Sequence, residues 1–272
     1  MKIKNHQKRN ERKRKIAILA LVIVASVISL ALWKNQQNKA QEAAKKVEEA
    51  KDKSNKKDTF DREKLAAAGC PDTLLDLAER NPETIDFVKG YLDYDSASVN
   101  RDISAEVQQG TIPLFLQWDK RWGYESYGDS IIGLAGCGPT CLSMVYVYFT
   151  HDLNGTPREI ASYCEKNGYY TENGTSWSLW TEGLPALGLS GKELPLGENS
   201  MKTALDQGKL IVCSMRPGDF TTSGHYILLY DYDDTGFCVK DPNRVSNSSR
   251  TWDYDTLSPQ IKNLWAISPT GF

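Results

Sequence analysis

The stretch Gly136-Cys137-Gly138-Pro139-Thr140-Cys141-Leu142-Ser143-Met144-Val145-Tyr146-Val147-Tyr148-Phe149-Thr150 decides how this chain is read. It opens with two glycines around a cysteine and then turns almost wholly apolar. Gly136 and Gly138 let the backbone turn tightly and leave the sulfur uncrowded. Pro139 suits a first helical turn, so the pattern predicts a helix over 136–150 with Cys137 at its start. A sulfur there faces unpaired amide donors and the positive end of the helix dipole, surroundings that suit a nucleophile. A buried structural cysteine is the bland alternative, and the Gly-Cys-Gly-Pro setting weighs against it.

A thiolate nucleophile needs a base, and the chain has three histidines. His6 sits in a basic head, and His151 follows the helix, where a cationic histidine complements the dipole. His225 opens the run His225-Tyr226-Ile227-Leu228-Leu229-Tyr230 after Ser223-Gly224. It is the candidate base by elimination and by position at a strand start. A third group must orient the imidazole. HYILLYDYD, a turn at Gly236 and FCVKD form an expected hairpin, in which the start of one strand faces the end of the other. That brings Asp241 beside His225. Asn243 is a second option, and plain turn chemistry explains Asp241-Pro242-Asn243 equally well. For the oxyanion, the Cys137 amide is one donor and Gln117 is the candidate side chain.

Around this centre the pattern is α+β. TPREIASYCEKNGY (156–169) reads as a helix begun at Thr156-Pro157 and ended at Gly168. SMKTALDQGK (200–209) reads as another, opened by Ser200. LIVCSM, HYILLYDYD, FCVKD and LWAIS are short β-branched and aromatic runs, expected as strands of an antiparallel sheet. Helices come first and strands second. Before this domain, residues 59–108 read as a short helical hairpin, TLLDLAERN and ETIDFVKGYL, too small to be stable alone.

The N-terminal part differs in composition. Residues 1–15 carry eight Lys/Arg against Glu11, within a chain of net charge -2. Residues 16–33, IAILALVIVASVISLALW, hold no charge and as a helix would span about 27 Å, close to the hydrocarbon thickness. A cleaved signal peptide is the competitor, with Ser29-Leu30-Ala31 as a small-x-small site. The length of the run favours an uncleaved anchor, with the basic head cytoplasmic and the rest outside. Residues 34–58 lack large apolar side chains and read as a charged, partly helical stalk. Everything beyond the head is acidic overall, which excludes a nucleic-acid partner. The six cysteines (Cys70, Cys137, Cys141, Cys164, Cys213 and Cys238) match no zinc spacing, so no metal and no cofactor is expected. Cys213 and Cys238 are expected as apolar core residues.

Phe115-Leu116-Gln117-Trp118-Asp119, Trp122-Gly123, Gly136-Cys137-Gly138-Pro139-Thr140, Gly224-His225-Tyr226-Ile227 and Asp241-Pro242-Asn243 together resemble the C39-like (bacteriocin-processing type) cysteine peptidases of papain-like fold. The likeness is to stand-alone, membrane-anchored members of Gram-positive bacteria and covers about residues 111–268 of a domain set at 109–272. It implies Gln117 for the oxyanion, Cys137 as nucleophile, His225 as base and Asp241 as its orienter, with a helical part packed on an antiparallel sheet. Leader-processing members are fused to a transporter, and no Walker motif occurs here, so cleavage after a double glycine is not carried over. The segment 59–108 also looks like one that precedes such domains. Trp118, Trp177, Trp180 and Gly224 are candidate substrate-lining residues, although Thr175 or Ser176 capping a helix over core tryptophans explains Gly174–Trp180 as well. Three sequons, at Asn154, Asn173 and Asn247, carry no meaning in a bacterial protein.

The expected protein is therefore a membrane-anchored extracytoplasmic peptidase, monomeric, acting on a peptide or protein. Two rivals remain: a Cys-His amidase or transpeptidase acting on cell-wall peptides, and a non-catalytic peptide-binding module.

Overall fold

The computed structural model describes residues 60–271, in which the helical segment and the sheet domain belong to the same unit. The head, the apolar run 16–33 and the stalk lie outside the described residues. Among the described residues, no helix is long and apolar enough to cross a membrane.

Six strands build the central sheet: β5 (Leu189–Glu193), β6 (Leu210–Met215), β7 (His225–Asp233), β8 (Gly236–Lys240), β9 (Thr251–Trp252) and β10 (Ile261–Pro269). Their order is β5-β10-β6-β7-β8-β9, antiparallel at every pairing. Side chains alternate across a strand, so each central strand feeds two cores. Tyr226 and Leu228 of β7, with Val212 and Trp265, meet α5 (Cys137–Thr150) and α6 (Pro157–Lys166) on one face. Ile227 and Leu229, with Ile211 and Cys213, meet α7 (Glu198–Asp206) on the other. Two two-stranded ribbons, β1 (Ser126–Tyr127) with β2 (Ser130–Ile131) and β3 (Tyr170–Thr171) with β4 (Gly174–Thr175), flank the helices.

The helix boundaries follow local chemistry. Thr156 accepts a hydrogen bond from the Glu159 amide (3.4 Å) ahead of Pro157 and so starts α6 as expected. The start of α7 differs from expectation. Gly197 is the N-cap, and Ser200 lies in the first turn with its hydroxyl donated back to the carbonyls of Pro195 (2.6 Å) and Gly197 (2.8 Å). Cys213 is buried in β6, but Cys238 is only half-buried because the strand period turns Phe237 and Val239 inward instead. All six cysteines are unpaired.

The segment expected as a hairpin is three short helices, α1 (Arg62–Ala67), α2 (Asp72–Arg80) and α3 (Ile85–Lys89), with a 3-10 turn at Pro82–Thr84. The second expected helix stops at Gly90, a residue that propagates a helix poorly. The segment docks on the sheet domain. Phe87 stacks on Tyr124 with ring centroids 4.3 Å apart, and the Tyr124 hydroxyl donates to the Phe87 carbonyl (2.5 Å). Burying one such phenylalanine stabilises by about 1.5–3 kcal/mol. Its ring also lies so close to Gly133 that a Cβ there would come within 2.6 Å of it. Gly133 belongs to α4 (Ile132–Ala135), the turn that leads into α5.

Candidate active site

Cys137 is the first residue of α5. Its N-cap, Gly136, supplies no side-chain cap, so the first-turn amides have no side chain over them. Those donors and the dipole face any negative charge that develops on a group bound at this helix start. Gly138 is needed for packing. A Cβ at this position would lie 2.4 Å from Thr175 Oγ1, so β4 approaches the helix start more closely than any other residue allows. Thr175 is itself held, its Oγ1 by the Tyr127 hydroxyl (2.8 Å) and its carbonyl by the Tyr226 hydroxyl (2.9 Å).

His225 opens β7, and Asp241 follows the end of β8. The register Leu228 to Lys240 across the hairpin brings the two side chains together. His225 Nε2 and Asp241 Oδ1 are 2.7 Å apart and both side chains are buried, Asp241 completely. The bond occupies Nε2 and leaves Nδ1 for the sulfur. Burial alone would lower the His225 pKa. The charge and hydrogen bond of Asp241, and then the interaction with Cys137, outweigh it, and the imidazole is pushed up to about 10. The imidazole, between a carboxylate and the sulfur, is thus biased toward its protonated form.

Asp241 has further partners. Its Oδ1 accepts the Asn243 amide (2.8 Å), its Oδ2 accepts Asn247 Nδ2 (2.7 Å), and its own amide donates to Ser248 Oγ (2.8 Å). Asn247 is itself tied down, since its carbonyl accepts Trp252 Nε1 (3.0 Å). Asn247 and Ser248 lie in α8 (Val245–Ser248), which precedes α9 (Tyr254–Leu257). In the sequence alone, both belong to a sequon with no meaning in a bacterial protein. The only available signal was an amide and a hydroxyl six and seven residues beyond a candidate carboxylate.

Gln117 is buried, and its Nε2 donates to the Gly133 carbonyl (2.9 Å). A carbonyl acceptor sets which end of the amide is nitrogen, and that nitrogen keeps a second N–H. The Gln117 backbone amide donates to the Pro242 carbonyl (2.7 Å), which ties this residue to the loop after Asp241. Gln117, Cys137 and His225 line one cleft of about 250 Å³. One wall is α2 and the residue after it, with Leu77, Arg80 and Asn81. The other wall is the loop 218–224 between β6 and β7.

The other expected residues fall in different places. Gly224 lines the cleft. Trp118 is fixed by its Nε1 bond to the Asn243 carbonyl (2.8 Å). Trp180 is fully buried against Tyr226 and Trp265, with centroids 5.3 and 6.2 Å away, so it is a core residue. Trp177 is 41% exposed and edges onto Trp265, with the Lys262 ammonium 5.2 Å from its ring centre. Ser176 caps this 3-10 turn. Neither Trp177 nor Trp180 lines the cleft that holds Cys137. His151 is the C-cap of α5 in the left-handed region. Among the described residues, no group of three or more His, Cys, Asp or Glu is placed to hold a metal ion.

A sequence model of the Peptidase_C39 like family matches residues 109–268. The peptidase domain of Streptococcus ComA, described as a bi-functional ABC transporter involved in a quorum-sensing pathway, is similar at 18% identity. That match covers 50% of this chain and 93% of that one, with a TM-score of 0.38. A C39-like peptidase from Bacillus anthracis is similar at 13% identity, covering 58% of this chain and 94% of that one, with a TM-score of 0.37. No curated protein matches the chain.

Proposed function

The chain belongs to the Peptidase_C39 like family, and from that membership we propose that it is a cysteine peptidase with Cys137 as nucleophile, His225 as acid and base, Asp241 as orienter and Gln117 as oxyanion donor. The observation that carries the reading is the 2.7 Å His225–Asp241 bond, both groups buried, at a cleft that also holds Cys137 at a helix start.

The Cys137 thiolate attacks the carbonyl carbon of a peptide bond. The oxygen becomes an oxyanion, which the Cys137 amide and the Gln117 side-chain N–H stabilise. The C–N bond breaks as the His225 imidazolium gives its proton to the leaving amine, and a thioester remains on Cys137. Water then attacks the thioester, and neutral His225 takes its proton. The acid product leaves, and the thiolate–imidazolium pair is restored. Asp241 accepts from Nε2 throughout and keeps Nδ1 facing the sulfur.

The apolar run 16–33 and the basic head support a membrane anchor with the peptidase domain outside the cell. Membrane fractionation of the full chain, followed by protease digestion of intact cells, checks this placement. For the chemistry, Cys137→Ala should abolish hydrolysis of a peptide library while leaving the melting temperature close to wild type. Retained hydrolysis at the wild-type rate rules the mechanism out. Release of fragments from purified peptidoglycan in place of library cleavage would assign the same groups to cell-wall amide chemistry.

A further inference from the structure

The family match begins at residue 109, and the helical segment before it has no assigned role. We infer that Glu83 is a positioning residue for the Asp241–His225 pair, and that the segment carrying it is a working part of the active site. This rests on the reading of Cys137, His225 and Asp241 as the reacting groups.

The contacts form a continuous path. Glu83 Oε2 accepts the backbone amide of Val245 (2.6 Å), and Oε1 accepts that of Ser246 (3.1 Å). These are the first two residues of α8. The last two are Asn247 and Ser248, which bind the Asp241 carboxylate and the Asp241 amide. The neighbours of Glu83 grip the same loop. Asn81 Nδ2 donates to the Asn243 carbonyl (2.6 Å), and Arg244 Nη2 donates to the Arg80 carbonyl (2.7 Å). The cleft wall and the latch are therefore consecutive parts of one segment, α2 and the 3-10 turn that follows it.

Physical chemistry explains why the latch matters. A helix of four residues does not hold itself together, because nucleation is unfavourable and few bonds follow it. The N-cap of α8, Arg244, provides no side-chain cap. Glu83 supplies what the local sequence lacks: an acceptor for two orphan amides and a negative charge at the helix start. Asn247 takes Asp241 Oδ2 within a site closed to solvent, so a shift of α8 is passed directly to the carboxylate that orients His225. Displacements of about 1 Å in such an arrangement cost roughly a hundredfold in rate.

The test uses the full chain with Glu83→Ala, Glu83→Gln and a control, Arg62→Ala. Arg62 pairs with Asp76 (2.8 Å) and Glu79 (3.1 Å) on the same segment and does not touch residues 241–248. Three quantities are measured: kcat and KM on a cleaved peptide, the alkylation rate of Cys137 by iodoacetamide read by mass spectrometry, and the melting temperature. Glu83→Ala should lower kcat roughly ten- to hundredfold with KM changed less than about twofold, and slow alkylation in parallel. Glu83→Gln keeps one acceptor and should fall between; it carries the test if the alanine variant does not fold. Arg62→Ala should lose stability without losing kcat. The inference is overturned if both Glu83 variants keep wild-type kcat and alkylation, or if Arg62→Ala loses activity in the same proportion to its loss of stability. If the wild type alkylates rapidly and cleaves no peptide, the peptidase reading fails and the alkylation series alone decides Glu83.

Discussion

Asp241→Asn separates the charge of this residue from its shape. In the wild type, Oδ1 faces two donors, the His225 ring and the Asn243 amide, and Oδ2 faces one, Asn247 Nδ2. The new NH2 group must take the Oδ2 side, because the other side would set it against two N–H groups. Asn247 then turns its amide over and presents its oxygen. The hydrogen-bond count survives, and the carboxylate charge beside the imidazolium is lost. A charge-assisted hydrogen bond contributes about 1.5–3 kcal/mol and a neutral one about 0.5–1.5, so the difference is about 1–1.5 kcal/mol, or roughly tenfold in rate if it is fully expressed in the transition state. The charge of Asp241 is also the largest influence that raises the His225 pKa against the pull of burial. The assay is kcat/KM on a fluorogenic peptide from pH 5 to pH 10.5, with thermal unfolding at pH 7. Asp241→Asn should lose roughly tenfold at neutral pH and more at alkaline pH, because its alkaline limb moves down. Asp241→Ala should be far worse in stability, by about 3–5 kcal/mol, since it leaves buried donors facing nothing. If Asp241→Asn matches the wild type at every pH with its alkaline limb unmoved, Asp241 does not support a charged imidazole and the assignment of roles is wrong.

The same pair makes stability depend on pH. The His225 pKa is raised in the fold, from the ordinary 6.5 to about 10, so its stabilising contribution is complete below about 6.5 and is lost as pH rises through about 10. The stability difference between wild type and His225→Gln, from urea melts, should therefore shrink between pH 7 and pH 10. A difference that grows with pH refutes the sign. At the start of α5, Gly138→Ala sets a Cβ against Thr175, which two tyrosine hydroxyls hold in place. Overpacking of this kind costs about 1–3 kcal/mol, read as a fall of about 2–12 °C in melting temperature, and kcat should fall with it because Cys137 moves. A melting temperature equal to or above wild type, as expected from helix propensity alone, sinks the close-approach argument.

Which parts of this site were visible beforehand follows from the range of the interactions. Cys137 at a helix start is a local fact, carried by Gly136, Gly138 and Pro139 within four residues. The His225–Asp241 pairing is one step less local, yet a hairpin with a glycine turn carries it, and the structure brings the two within 2.7 Å. The tryptophans of 177–180 carried two readings because aromatic side chains suit a groove and a core alike. Packing against Trp265, a residue of β10, puts Trp180 in the core, and no pattern near Trp180 encodes that. The start of α7 escapes local pattern for a related reason: Ser200 looks like a cap, but its hydroxyl donates to carbonyls behind it.

Glu83 marks the far end of this scale. It is separated from Val245 by 162 residues, and both look unremarkable alone, one a charge after a proline and the other an exposed valine. A family domain drawn from residue 109 cuts between them. Yet the loop that carries Asp241 has little regular structure of its own. It leaves β8 at Lys240, passes Pro242, and forms a four-residue helix without a cap of its own. Beyond the bonds that Asp241 makes with Asn243, Asn247 and Ser248, its order comes from Arg80, Asn81 and Glu83 in the helical segment and from Gln117, Trp118 and Trp252 in the sheet domain. The orientation of a catalytic imidazole is only as good as that of its carboxylate, and that of the carboxylate is only as good as what holds the loop. By that logic the chemistry proposed for Cys137 depends on residues that no motif around Cys137 contains.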